Sequence, residues 1–426
     1  MKKIDLIKSL ENGDFDNSIA YINCSSEISK EKKRYHDLIN NAYDLFGDLD
    51  YRIFSAPGRT EVGGNHTDHQ RGRVLAASVN MGVVAVCTKD DNFVEFVSEG
   101  FKINKININD LEKKSEEYNT SESLIRGMLY RLKKLGYNIG GFKCYSNSSV
   151  LKGSGISSSA AFEVLIGTIL NGLYNEFSID SIEIAQISQY AENVYFNKPS
   201  GLMDQMACSV GGFVAIDFKD LECPKVEKVD FDFTHSGLNL VLVDTKGSHE
   251  DLSFEYGYMP KEMKEVANFF GKEVMVDVKM EDLLANIKEI REKTNDRAVL
   301  RAMHFLNETD RVVDEVNALK SNDIQKFLNK VIESGYSSYM YLQNVYSPTN
   351  QFEQNLSIAL CVSEQLLKNK EAAYRVHGGG LAGTIQAFVP KENLEEYVNM
   401  MNSIFGEESC FILSIRPVGG YEVKVQ

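Results

Sequence analysis

Across residues 1–48, apolar side chains recur at helical spacing, first Ile4, Ile7 and Leu10 and later Leu38, Ala42 and Leu45, with charged residues between them. The rhythm predicts short amphipathic helices that carry no evident chemistry. From Tyr51 the period shortens. Residues 51–55, 74–80, 83–89 and 93–98 are apolar or β-branched and are punctuated by glycine or by Asp90 and Asp91, which predicts successive strands. A helix is expected over 121–135 and a strand over 141–146. A glycine loop then opens a helical pattern lasting to about Tyr174, and a second helix starts at Asp180, an N-cap residue type, and ends near Asn197.

Strands are expected at 213–217 and 238–244, and then helices dominate, over 261–270, 280–292, 296–319, 323–342 and 351–367. Strands at 374–377, 384–389, 410–414 and 421–425 close the chain. Interleaving of this kind predicts an α+β architecture with mixed sheets, and the acidic, turn-prone stretch at 215–235 suits a boundary. Three units are expected: 1–48, 49–215 and 216–426. No internal repeat of solenoid length occurs.

Composition narrows the class. With 426 residues, 43% of them hydrophobic and 25% charged, the chain has the balance of a soluble globular protein of two or three domains. A net charge of -15 argues against a nucleic-acid or membrane partner, since no basic face is available to release counterions. The N-terminus turns polar and acidic before any run long enough for a signal peptide, so a cytoplasmic location is expected. Seven cysteines, odd in number and with no Cys-x-x-Cys pair, indicate neither a disulfide framework nor a zinc site.

Candidate chemistry concentrates in four segments. Residues 151–164 read Leu-Lys-Gly-Ser-Gly-Ile-Ser-Ser-Ser-Ala-Ala-Phe-Glu-Val, a glycine loop running into a helix. Gly153 and Gly155 leave room for a ligand beside the backbone, and Ser157, Ser158 and Ser159 add hydroxyls where free helix N–H groups converge, a place that suits phosphate. No Gly-Lys-Ser/Thr triplet follows, so the Walker pattern does not apply. Simple capping by the serines is the competing account.

The second segment runs from Ser55 to His69 and packs Arg59, Asn65, His66 and Asp68 among Gly58, Gly63 and Gly64, a density of donors and acceptors that can read sugar hydroxyls. His66 and His69 invite a metal, but no third ligand stands at useful spacing. The third is Gly201-Leu-Met-Asp-Gln205, where Asp204 in a glycine turn would by itself be a turn former. The fourth is His377-Gly-Gly-Gly-Leu-Ala-Gly-Thr384, which allows either close approach to a ligand or a tight turn.

In this order the four segments resemble the GHMP kinase superfamily, and within it the galactokinase-like sugar kinases, from about residue 49 to the C-terminus. The resemblance implies an N-terminal domain like ribosomal protein S5 domain 2 and a ferredoxin-like C-terminal domain, preceded here by a helical extension. It also implies phosphorylation of a sugar's anomeric hydroxyl by Mg-ATP, with galactose as the first choice of sugar. Asp204 then faces that hydroxyl with Arg59 beside it. Asn65, His66, Asp68 and Tyr256 fall at sugar-contacting positions, residues 153–159 wrap the phosphates, and Ser159 and Glu192 match the magnesium ligands.

Three positions depart from the family pattern. Asn65 stands where a glutamate is usual, His69 where a tyrosine is usual, and Glu61 where an asparagine is usual. The run Asp68-His69-Gln70 is similar to plant galacturonate kinases, and a neutral Asn65 would not repel a carboxylate. Kinases for other sugars, and a sugar sensor without turnover, are the alternatives. The intact serine run together with Asp204, Arg59 and Glu192 speaks against the sensor.

Overall fold

Two sheets organise the protein in a computed structural model, which describes residues 1–150, 155–221, 223–247 and 252–425. The trunk of the first is the 18-residue strand Arg73–Asp90. It pairs antiparallel with Arg52–Gly63 along its length, with Phe213–Asp217 along its first part and with Gly141–Ser148 along its second. Phe93–Ser98 adds on in parallel beyond Gly141–Ser148, and Lys225–Val229 extends the other branch. Sequence patterning divides the trunk at Gly82, yet the strand is continuous. A Cβ at Gly82 would sit 2.4 Å from the Ala56 carbonyl oxygen, so this glycine permits close approach of the neighbouring strand rather than marking a turn.

The second sheet is antiparallel, in the order Ala373–Val376, Thr384–Pro390, Leu238–Asp244, Cys410–Leu413. Its central strand reads as an unbroken apolar run because both faces are covered. Leu240 and Leu242 pack with Phe327, Leu328 and Val331 on one face, whereas Val241 and Val243 pack with Leu356, Ala359 and Met401 on the other. Sheet membership does not follow the sequence boundary expected near 215–235, because the first sheet also takes Lys225–Val229 and, from the far end of the chain, Tyr421–Val423 beside Arg52–Gly63.

The N-terminal residues form three helices, Lys3–Asn12, Asp16–Asn23 and Ser29–Phe46, whose buried stripe of Leu6, Leu10, Tyr35, Leu38, Ile39 and Ala42 packs with Ile53, Val84, Val86 and Val423 of the first sheet. Ile4 and Leu45, read from the spacing as inward positions, face solvent at 66% and 51% exposure, since only one side of each helix reaches the sheet. In the second half, a helix starts at Ser253 and carries Pro260 inside it, and the stretch expected as one helix over 280–292 is two, Met280–Ala285 and Ile287–Lys293. Helices Met203–Val210 and Leu394–Phe405 and strand Lys225–Val229 are additional to the sequence reading. No helix among the described residues is long and apolar enough to cross a membrane.

Candidate active site

Arg52–Gly63 carries the start of the second motif within the sheet, which fixes Arg59 on a strand rather than a loop. Opposite it, Asp204 occupies the first turn of helix Met203–Val210, where the helix dipole favours a negative charge. The two meet in a bidentate pair, with Arg59 Nε donating to Asp204 Oδ1 at 2.7 Å and Nη2 donating to Oδ2 at 2.8 Å. Arg59 Nη1 donates to the Gly155 carbonyl, and the Arg59 amide donates to the Ile156 carbonyl at 3.0 Å. One arginine therefore joins the sheet, the phosphate-type loop and the Asp204 helix.

The serine loop separates the two accounts given above. Ser157 sits at the N-cap of helix Ser158–Tyr174 with φ 58°, and its side chain does not cap that helix. The Ser157 hydroxyl instead donates to Asp204 Oδ2 at 2.6 Å. Among the described residues no N-cap side chain satisfies this helix N-terminus, which borders the cleft, an arrangement suited to an anion. Residues Arg59, Gly155, Ile156, Ser157, Ser158, Ser159, Lys198 and Asp204 line that cleft, about 280 Å³ in volume. Gly153 and Ser154, expected in the same cradle, lie outside the described residues.

Burial pushes the Asp204 carboxyl pKa up, but the Arg59 guanidinium and the Ser157 hydroxyl outweigh it and hold the group below its ordinary value. Asp204 is therefore anionic and a weak base, and 31% of its side chain stays open to the cleft. Beside it, Glu192 lies on a π-helical turn, Ala191–Phe196, that extends helix Ser181–Tyr190. Glu192 Oε1 accepts from Ser159 Oγ at 3.4 Å and from Lys198 Nζ at 2.9 Å, and Oε2 accepts from Gln205 Nε2 at 2.7 Å. Gln205 also donates to Glu163 at 3.1 Å, whose pKa is raised by burial and then by repulsion from Glu192.

The turn after Gly63 divides into scaffold and surface. Asn65 is fully buried, and its amide is consumed: Nδ2 donates to Glu61 at 2.8 Å and to the Gly378 carbonyl at 2.7 Å, while Oδ1 accepts from Asn344 at 2.8 Å and Ser338 at 3.2 Å. Its backbone is held by the long helix Asp296–Lys320. Glu308 accepts from the Gly64 and Asn65 amides at 3.1 and 3.3 Å, and His304 Nε2 donates to the Asn65 carbonyl at 2.9 Å. Arg375, also buried, joins Glu61 at 3.0 Å to the Val62 carbonyl at 2.7 Å.

His69, by contrast, is exposed, and His66 and Asp68 are half-buried. His66 Nε2 donates to the Gly379 carbonyl at 3.0 Å, and burial together with the neighbouring His69 lowers its pKa to about 4, so the ring is neutral. Asp68 lies against the Asp204 segment, since a Cβ at Gly201 would be 2.7 Å from Asp68 Oδ2. Tyr256 donates to the Gly380 carbonyl at 2.7 Å. The glycine-rich fourth motif thus presents carbonyls to this turn, and His377 at its head hydrogen-bonds Thr60 and Thr384 at 3.1 and 3.0 Å.

Sequence reasoning passed over Lys198, Gln205, His304, Glu308 and Arg375. One signal was available: Arg301, His304, Glu308 and Glu315 fall on the same helical face as Ala298, Phe305 and Val312, and charges on a buried stripe imply buried partners.

Comparison with known proteins shows what the chain is similar to. Residues 123–212 match the family described as GHMP kinases N terminal domain, and residues 43–89 match the galactokinase galactose-binding signature. The chain is 28% identical over 368 residues to the galactokinase of Streptomyces coelicolor, covering 85% of this chain and 90% of that protein. It is 27% identical over 388 residues to the galactokinase of Clostridium tetani, covering 89% and 95% respectively. The chain carries a GHMP kinase N-terminal domain and a galactokinase galactose-binding signature. Its fold is similar to Lactococcus lactis galactokinase in complex with galactose, with TM-score 0.76 at 22% identity over 91% of this chain and all of that one. Methanococcus jannaschii mevalonate kinase matches at TM-score 0.60 and 14% identity, covering 86% of this kinase and 98% of that chain.

Among the described residues, no group of three or more His, Cys, Asp or Glu side chains could hold a metal. Magnesium bound with a nucleotide does not need one, because it takes one or two protein carboxylates and completes its shell with phosphate oxygens and water. The hard oxygen donors Ser159 and Glu192 fit that mode, and a cation, the Lys198 ammonium, already stands at Glu192 Oε1.

Proposed function

We propose that this kinase transfers the γ-phosphoryl group of ATP to the anomeric hydroxyl of galactose, giving galactose 1-phosphate. The observation that carries the reading is the Arg59–Asp204 pair set at the mouth of the uncapped helix Ser158–Tyr174, next to the accessible turn of His66 and Asp68. A sugar on that turn and a triphosphate at the helix N-terminus would meet at Asp204.

Phosphoryl transfer asks for placement and charge neutralisation more than covalent help. Asp204 orients the sugar hydroxyl and accepts its proton as the O–P bond forms, its low basicity favouring late transfer. Arg59 balances charge between the acceptor oxygen and the phosphoryl oxygens, and the loop N–H groups from Gly155 to Ser159 hold the phosphates. Ser159 and Glu192 would hold Mg²⁺, which supplies charge neutralisation at the phosphates when bound. His66, Asp68 and Tyr256 bound the sugar side, with Asn65 acting through the turn it anchors.

A uronic-acid substrate is the second reading, favoured by the imidazoles of His66 and His69, whose ring centroids lie 6.0 Å apart. ADP release measured with Mg-ATP on galactose, galacturonate, arabinose and N-acetylgalactosamine separates them. Turnover is expected on galactose; no rate on it sinks that choice, and no rate on any sugar leaves a non-catalytic binder.

A further inference from the structure

The oxygen of Glu192 that would face a metal is already taken. Oε1 accepts from both the Lys198 ammonium at 2.9 Å and Ser159 at 3.4 Å, and Oε2 is committed to Gln205. Glu192 is 3% exposed while the Lys198 side chain is 55% exposed, so the carboxylate is fixed and the lysine is the partner able to leave. Lys198 also lines the cleft with Arg59 and Ser157–Ser159, within the field of the uncapped helix. Among the described residues of that cleft, Arg59 is spent on Asp204, which leaves Lys198 as the cation free to change partners.

We propose that Lys198 is a built-in counter-cation that occupies the divalent-metal position at Glu192 and transfers to the nucleotide's phosphates when metal and nucleotide arrive. The like charge of the ammonium opposes metal binding to the empty protein. An incoming phosphate offers Lys198 a better partner and frees Glu192 Oε1, so nucleotide and metal load as a coupled pair, each tightening the other by the same factor. The proposal rests on the kinase reading of this cleft, but it needs neither a sugar nor turnover.

The test is Mn²⁺ binding to the full chain without sugar, read from the free-ion electron paramagnetic resonance signal, alongside calorimetric titration of a non-hydrolysable ATP analogue in the absence of metal. Lys198→Met is expected to bind Mn²⁺ at least about 5-fold more tightly than the parent protein and the analogue at least about 5-fold more weakly. Lys198→Arg, which keeps the charge, is expected to stay near the parent in both. Unchanged or weaker Mn²⁺ binding by Lys198→Met, or an unchanged analogue affinity, overturns the proposal. Failure of the sugar reading appears separately, as absent ADP release from a protein whose Mn²⁺ behaviour still follows these expectations.

Discussion

The end of the site proposed for phosphate and the end proposed for sugar are built on opposite plans. At the phosphate end, charged side chains pair with one another at a cleft wall and remain reachable: Arg59 with Asp204, Lys198 with Glu192. At the sugar end, the densest run of polar residues is half scaffold. Asn65, Glu61, Glu308, His304 and Arg375 are buried and satisfy one another and the backbone, leaving His66, Asp68 and His69 to face outward. An ion pair at a cleft can exchange partners when a ligand arrives, whereas a fully buried network is costly to disturb and so holds a turn in one shape. Chemistry is assigned to the first region and shape to the second.

Substitutions can break that division. The largest effect is expected for Asp204→Asn, which keeps the fold but removes the anion beside the hydroxyl; turnover should fall by about 10²–10⁴ while an ATP analogue still binds, and a variant with near-parental turnover would remove Asp204 from the mechanism. Next is Glu308→Ala, which strands Arg311 and two backbone amides and should cost about 3–5 kcal/mol of stability, read as a lower denaturation midpoint. A large loss of turnover at unchanged stability would instead place Glu308 among the reacting groups.

Asn65→Ala is expected to cost about 1–3 kcal/mol, because Glu61 and Asn344 lose their shared partner. Sugar KM should rise with it, and the ranking of sugars should hold. A changed ranking at parental stability would make Asn65 a direct reader of substrate.

The smallest effect is a pH slope. Burial alone would raise the Glu308 carboxyl pKa, but the His304 imidazole, the Arg311 and Arg375 guanidiniums and the Ser334 hydroxyl bring it down from 4.5 to about 2. A depressed carboxylate contributes stability that is complete above pH 4.5 and is lost as pH falls toward 2. Acid unfolding of the parent should therefore be steeper across that window than that of Glu308→Gln, by at most about 1.4 kcal/mol per pH unit. Equal slopes would show that Glu308 is not ionised in its network.

Local signals were enough for much of the architecture. The cap at Asp180 accepts from the Glu183 amide, and strand Phe93–Ser98 has the bounds that alternation and flanking polar residues set. Such features depend on neighbours within a few residues, and the sequence displays them directly. Gly82 misled for a related reason: a glycine advertises freedom, and only the strand beside it reveals that the freedom is used for close approach.

By itself, the chain determined its element types, its anion-friendly loop and the residue kinds available for phosphoryl transfer, because periodicity, capping and glycine placement act over short range. Tertiary structure alone decided that Ser157 serves Asp204 instead of its own helix, that Asn65 is a keystone 279 residues from its partner Asn344, and that Lys198 pairs with Glu192. Hydrogen-bond partners of polar side chains are fixed by whichever groups burial brings within about 3 Å, and that distance is set by the packing of both sheets and the long helix together.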